Sequence, residues 1–144
     1  MKIEPMTPDD FADRGTWQYE PEYAFYDEVD EPAVLNPERF FAARDDDGAL
    51  VGFYYFEEQA DTLVYGLGLR PELTGRGLGL DFFRAGLEFG RERYRPARIV
   101  LSVAAFNRRA VKVYERAGFR ETGRHVRTFA RFGEVEFVEM DELA

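Results

Sequence analysis

Between Leu67 and Phe83 the chain reads LGLRPELTGRGLGLDFF, a strand end, a glycine-rich turn and a helix start run together. Gly75, Gly77 and Gly79 alternate with Arg76 and Leu78, and an apolar helical pattern begins at once. Residues without a Cβ adopt backbone angles closed to others and let another molecule approach the main chain. A helix starting here leaves its first N–H groups unpaired and turns its positive dipole end outward. Such a turn suits a phosphate or pyrophosphate. A glycine-rich connection without a ligand is the plain alternative, and the glycines alone do not choose between them.

Two phosphate motifs can be set aside. A P-loop needs Lys and then Ser or Thr after its last glycine, whereas Leu80 and Asp81 follow Gly79. The dinucleotide fingerprint needs G-x-G-x-x-G, and the spacing here is G-x-G-x-G.

Charge divides the chain in two. Residues 1–62 hold 17 Asp/Glu and 4 Lys/Arg, and residues 63–144 hold 11 and 15, for a net charge of −9. An acidic total argues against a general nucleic-acid binder. The basic half carries the phosphate-like turn, which fits an anionic cofactor on one side and a cationic substrate on the other. A solvated acidic surface explains the same asymmetry. The 144 residues are enough for one domain, spanning 1–144, and 45% hydrophobic content argues for a packed core. The absence of cysteine excludes disulfides, zinc–thiolate sites and a thiol nucleophile. The N-terminus, MKIEPMTPDD, lacks a signal-peptide pattern, and no stretch nears the roughly 20 apolar residues of a membrane span. The expectation is a cytoplasmic protein without membrane association.

Taken in order, Lys2–Met6 reads as a short strand, and Thr7-Pro8-Asp9-Asp10 as a helix start with Thr7 as N-cap. Trp17–Val29 predicts a second helix or an ordered loop broken by Pro21, and Pro32 and Pro37 punctuate the next segment. Phe40–Arg44 and Ala49–Phe56 read as strands about the Asp45–Gly48 turn, and Thr62–Leu69 as the strand entering the glycine turn. Leu78–Tyr94 is helical with apolar residues on two sides, so coverage by neighbours is expected. Arg98–Val103 is nearly continuous in apolar residues, as for a strand buried on both faces. Asn107–Ala117 predicts a helix capped by Asn107 and closed by Gly118. Phe119–Arg131 and Glu134–Met140 predict a closing hairpin around Gly133. The sum is a mixed α/β domain whose middle runs strand–helix–strand–helix.

Two segments carry a resemblance. Thr74-Gly75-Arg76-Gly77-Leu78-Gly79 and Asn107, Ala110, Tyr114, Gly118 and Phe119 together resemble the GNAT superfamily of N-acetyltransferases. That family pairs a Gln/Arg-x-x-Gly-x-Gly/Ala turn with a downstream N-x-x-A-x-x-x-Y-x-x-x-G-F helix. The likeness covers residues 62–119 and extends in element order to the rest. It implies a mixed, mostly antiparallel sheet with one splayed parallel pair, flanked by helices. It implies an acetyl-CoA cosubstrate with its pyrophosphate on Gly75–Gly79, with Thr74, Arg76 and Leu78 in the same turn. Its pantetheine would run along Leu67-Gly68-Leu69, Asn107 would contact the arm, and Tyr114 would protonate the departing thiolate. No metal and no nucleic acid are implied, and a homodimer is allowed. The family's usual Gln or Arg is Thr74 here, which implies changed cofactor affinity rather than lost binding.

Acyl transfer to an amine needs a neutral amine, a polarised carbonyl and a proton for the leaving sulfur. A strand-end N–H near Leu69 could polarise the carbonyl. With one serine, Ser102, and one histidine, His125, a Ser–His–acid nucleophile is disfavoured. Direct attack by a primary amine in a ternary complex is expected. Each residue keeps a plainer reading: Tyr114 as core, Asn107 as N-cap, His125 as structural. The base is open among Asp27, Glu28, Glu57 and a water chain. A non-catalytic acyl-CoA sensor or partner-binding module on the same fold is the rival function.

Overall fold

The computed structural model describes residues 1–27 and 36–143. Glu28, Val29 and Pro32, named above, lie outside the described residues. Seven strands form one sheet: β1 (Lys2–Pro5), β2 (Phe40–Arg44), β3 (Leu50–Gln59), β4 (Thr62–Leu69), β5 (Arg98–Ala104), β6 (Arg120–Phe129) and β7 (Gly133–Leu143). Their order across the sheet is β1-β2-β3-β4-β5-β7-β6. Every neighbouring pair is antiparallel except β4 and β5, which run parallel. Among the described residues three α-helices accompany them: α1 (Pro8–Arg14), α2 (Gly79–Tyr94) and α3 (Arg108–Arg116). No described helix is long and apolar enough to cross a membrane.

Helix α1 begins as its sequence dictates. The Thr7 hydroxyl accepts from the Asp10 amide at 3.2 Å, and the Asp10 carboxylate accepts from the Thr7 amide at 2.9 Å. Asp10 is buried, yet its carboxyl is held below the ordinary range. Burial opposes ionisation, but the Arg44 guanidinium at 2.7 Å and the Thr7 bonds outweigh it. Behind it the chain continues into a 3₁₀ segment, Pro21–Asp27. Trp17–Val29 is thus no second α-helix within its described part, and Pro21 marks the break.

Helix α2 lies so tightly on the sheet that side chains are missing on its underside. A Cβ on Gly86 would collide with the Tyr65 hydroxyl and the Tyr54 ring. Those two tyrosines instead donate to α2 carbonyls, Tyr54 to Phe82 at 2.6 Å and Tyr65 to Phe83 at 2.8 Å. Phe82, Phe83 and Leu87 fill the rest of this contact. Both apolar stripes of α2 thus contribute buried residues, Phe82 and Gly86 from one and Phe83 and Leu87 from the other, while Leu78 just before the helix is 43% exposed.

Strand β5 departs from expectation. Ile99, Leu101 and Val103 are buried, while Ser102 between them is exposed. A short apolar run hides this alternation because Val100, on the more open face alongside Ser102, is apolar too, while Ala104 at the strand's end is buried. One face of β5 packs in the core that includes α2 and α3 residues, and the other is partly open.

Candidate active site

The parallel seam between β4 and β5 is short. Only Thr62, Leu63 and Val64 pair, with Arg98, Ile99 and Val100. Beyond Val64 and Val100 the two strands diverge, and β4 keeps only its other neighbour, β3. The Arg70 amide donates to the Val51 carbonyl at 2.8 Å. Because bonded and non-bonded pairs alternate along an antiparallel ladder, Gly68 then bonds to Phe53. Tyr65, Leu67 and Leu69 therefore turn their N–H and C=O groups away from β3, into the opening. The Leu69 carbonyl is met there by the Tyr19 hydroxyl at 2.8 Å.

At the end of β4 lies the glycine turn. Gly75 and Gly77 both have positive φ, 74° and 76°, and Leu78 between Gly77 and α2 is right-handed. Alternating hand aims successive amides toward one point, an arrangement that holds anions. Nothing lies within 4 Å of where a Gly77 Cβ would be, so the turn is open. Leu78 gives α2 no side-chain cap, and Thr74 donates its hydroxyl back to the Pro71 carbonyl at 2.7 Å. This turn offers main-chain donors.

Helix α3 packs beside it in register. Arg109 Nη1 lies 3.4 Å from a Cβ position on Gly75, Val113 lies 3.7 Å from one on Gly79, and the Tyr114 ring stacks on Phe83 at 4.4 Å. Residues four apart share a helix face, so α3 lies along the turn and the first turns of α2. Asn107 caps α3 through Oδ1, which accepts from the Ala110 amide at 3.1 Å. Its Nδ2 donates to the Tyr26 hydroxyl at 3.1 Å. The cap and the bond to Tyr26 thus use different atoms of one side chain.

Burial pushes the Tyr114 phenol well above its ordinary value, and proximity to Tyr26 adds to this. Tyr114 is also close enough to perturb Tyr65 on β4, at the start of the divergence. Its hydroxyl makes no hydrogen bond to a protein group among the described residues. The phenol is therefore neutral, with its ring packed on Phe83.

Other candidates are engaged elsewhere. Glu57 accepts from Tyr55 at 2.8 Å and is bound by Gln59 and Arg39. These bonds hold its carboxyl below the usual range, which makes it a poor proton acceptor. His125 Nδ1 and Ser102 Oγ both approach Glu139 Oε1, at 2.6 and 2.5 Å. The carboxylate stands between serine and histidine, so histidine cannot take the serine proton, and no nucleophilic relay forms. No metal-binding group of three His, Asp or Glu occurs among the described residues.

Three tyrosines reach the site without having been anticipated. Tyr19, Tyr23 and Tyr26 hold, respectively, the Leu69 carbonyl, the Arg109 guanidinium (4.7 Å above the Tyr23 ring) and Asn107. Phe25, beside them, meets Phe106, Phe129, Phe132 and Phe137 edge-on or tilted at 4.8–6.2 Å. The spacing of 19, 23 and 26 is that of one helical face, and it was the available signal.

The family model described as "Acetyltransferase (GNAT) family" matches residues 4–119. A mycothiol acetyltransferase from Mycolicibacterium gilvum is 40% identical over 92 residues, covering 59% of this chain and 30% of the relative. One from Acidothermus cellulolyticus is 31% identical over 134 residues, covering 81% of this chain and 39% of the relative. This chain thus spans roughly a third of the length of those curated relatives. Among solved structures, spermidine N-acetyltransferase from Vibrio cholerae in complex with CoA and spermine superposes with a TM-score of 0.75. It is 21% identical and covers 99% of this chain and 94% of that one, a likeness of fold.

Proposed function

The chain belongs to the GNAT acetyltransferase family, and from that premise we propose that it transfers an acetyl group from acetyl-CoA to a primary amine by direct attack in a ternary complex. The observation that carries this reading is the opening between β4 and β5, bordered by the glycine turn at one end and by Tyr114. Acetyl-CoA supplies the thioester, whose acetyl passes to the amine nitrogen as the carbon–sulfur bond breaks and the amine releases a proton. The Gly75–Gly79 amides, flanked by Thr74, Arg76 and Leu78, hold the pyrophosphate. Leu67 and Leu69 present backbone groups to the pantetheine, and Asn107 borders the arm. The Leu69 N–H, turned into the opening, polarises the thioester carbonyl. Tyr114 keeps its proton at Oη until negative charge develops on the sulfur.

The relatives' names point to mycothiol and spermidine acetylation. Neither acceptor is carried over, because the first match covers a fraction of its relative and the second is a match of fold.

The test is turnover of acetyl-CoA against a panel of amines, spermidine and aromatic amines included, with product masses. Since the chain has no cysteine, a thiol reagent reads released CoA without background. Tight acetyl-CoA binding without turnover on any amine would replace this reading with the sensor alternative.

A further inference from the structure

The glycine turn binds an anion with main-chain groups, but an arginine from a different element lies over it. We propose that Arg109, on α3, is the side-chain clamp for the diphosphate of the acyl carrier, held ready by the ring of Tyr23. This inference rests on the acetyl-CoA reading above.

Four observations carry it. Arg109 Nη1 lies 3.4 Å from a Cβ position on Gly75, so the guanidinium sits at the turn. Its carbon stands 4.7 Å from the Tyr23 ring centroid, a distance that restrains the planar group without neutralising it. No carboxylate pairs with Arg109 among the described residues, although Arg39, Arg44, Arg70, Arg98, Arg120 and Arg124 each have an acidic partner. Finally, the first turn of α3 contains Arg108 and Arg109 and no acidic residue. Helices favour acids at that end, because the dipole is positive there. Arg109, close to the glycine turn that precedes α2, adds its positive charge to the outward-turned amides and the positive dipole end there.

An anion resolves that repulsion. Arginine presents parallel N–H donors that match two phosphate oxygens, a geometry that amides of a turn complete from the other side. Thr74 cannot take this role, since its hydroxyl is committed to Pro71. The clamp has therefore moved to the helix alongside. Tyr23 gives the clamp a second consequence: the ring that restrains Arg109 belongs to the segment that also carries Tyr26 and Phe25.

The test compares acetyl-CoA and 3′-dephospho-acetyl-CoA, which both keep the diphosphate, with S-acetylpantetheine, which has the same thioester and arm but neither the diphosphate nor the adenosine. A loss on acetyl-CoA that is absent from 3′-dephospho-acetyl-CoA places Arg109 on the 3′-phosphate and overturns the clamp. Dissociation constants are measured by calorimetry for wild type, Arg109→Ala, Tyr23→Phe and Tyr23→Leu. Arg109 is exposed, so its replacement leaves the fold intact, and thermal unfolding checks this. Arg109→Ala should weaken acetyl-CoA at least tenfold and leave S-acetylpantetheine within twofold of wild type. Tyr23→Phe, which keeps the ring, should match wild type, and Tyr23→Leu should weaken acetyl-CoA alone by a smaller factor. Unchanged acetyl-CoA affinity in Arg109→Ala, or equal losses on both ligands, overturns the clamp. Failure of the wild type to bind acetyl-CoA overturns the cofactor reading itself, and the clamp with it.

Discussion

Helix α3 and the Pro21–Asp27 segment meet across Asn107 and Arg109, but different forces shape them. Asn107 caps α3 at its start, and the Phe119 amide returns to the Tyr114 carbonyl at its end, past the left-handed Gly118. Its local sequence marks where the helix starts and where it stops. The Pro21–Asp27 segment has no such rule. Its Tyr23 and Tyr26 side chains, together with Tyr19 just before it, tie it to Arg109, Asn107 and Leu69, and Phe25 adds the edge-on aromatic contacts. One element arrives shaped; the other takes its shape from what it touches.

That contrast can be tested by effects of decreasing size. The largest should come from Tyr114→Phe. General acids contribute about 10²–10⁴-fold, and because thiolate leaves readily, kcat should fall by about 10²-fold or somewhat less. Acetyl-CoA affinity, read by titration, should hardly move. A Phe variant with wild-type kcat, where chemistry limits the rate, would make Tyr114 a packing residue. Next is Gly77→Val, which puts a β-branched residue where φ is 76° and a side chain where the anion approaches. Calorimetry should show acetyl-CoA binding weakened more than tenfold, about 1.4 kcal/mol, in a folded protein. Unaltered affinity there would remove the pyrophosphate from the turn.

Tyr26→Phe probes the other side. It removes the acceptor of the Asn107 Nδ2 bond, worth about 1 kcal/mol. Because Asn107 is proposed to border the cofactor arm, acetyl-CoA affinity should fall roughly fivefold while kcat holds. A loss as large as that of Tyr114→Phe, falling on kcat, would erase the distinction between the two elements. For pH, burial holds the Tyr114 phenol above its ordinary value, so its protonated form persists throughout the neutral range. In wild type, kcat should climb as the amine deprotonates and show no Tyr114-dependent descent below about pH 10. A descending limb at lower pH that vanishes in Tyr114→Phe would contradict this. The smallest effect is that of salt. If the acidic half draws in cationic amines, raising ionic strength toward 1 M, where the Debye length is about 3 Å, should raise their KM severalfold and leave neutral amines unaffected.

How far the sequence reveals this site depends on the same division. Thr7-Pro8, the Gly75–Gly79 turn and the span from Asn107 to Phe119 are legible because caps and turns obey local rules. The one-sided burial of β5 is not, since Val100 is apolar at a half-buried position that does not demand it. Glu57 reads as a free carboxylate in sequence; strand alternation puts Tyr55 on its face, and only the pairing of β2 with β3 brings Arg39. Arg109 reads as a surface charge on a helix. Its place over Gly75 depends on the packing of α3 against α2, which no local pattern encodes.

The three-pair seam between β4 and β5 has a consequence for how the molecule stays out of trouble. A strand with unpaired backbone groups is an invitation to foreign chains, and proteins blunt such edges with charge, proline or bulges. Here β4 and β5 each leave part of an edge unsatisfied in the middle of the sheet, with no proline or bulge between Tyr65 and Leu69. The two edges guard one another instead. A passing strand would have to enter between them lengthwise, against Val64 and Val100 at the closed end. The protein thereby keeps adhesive backbone in its interior, reserved for something slender enough to slide in, and shows its neighbours none of it.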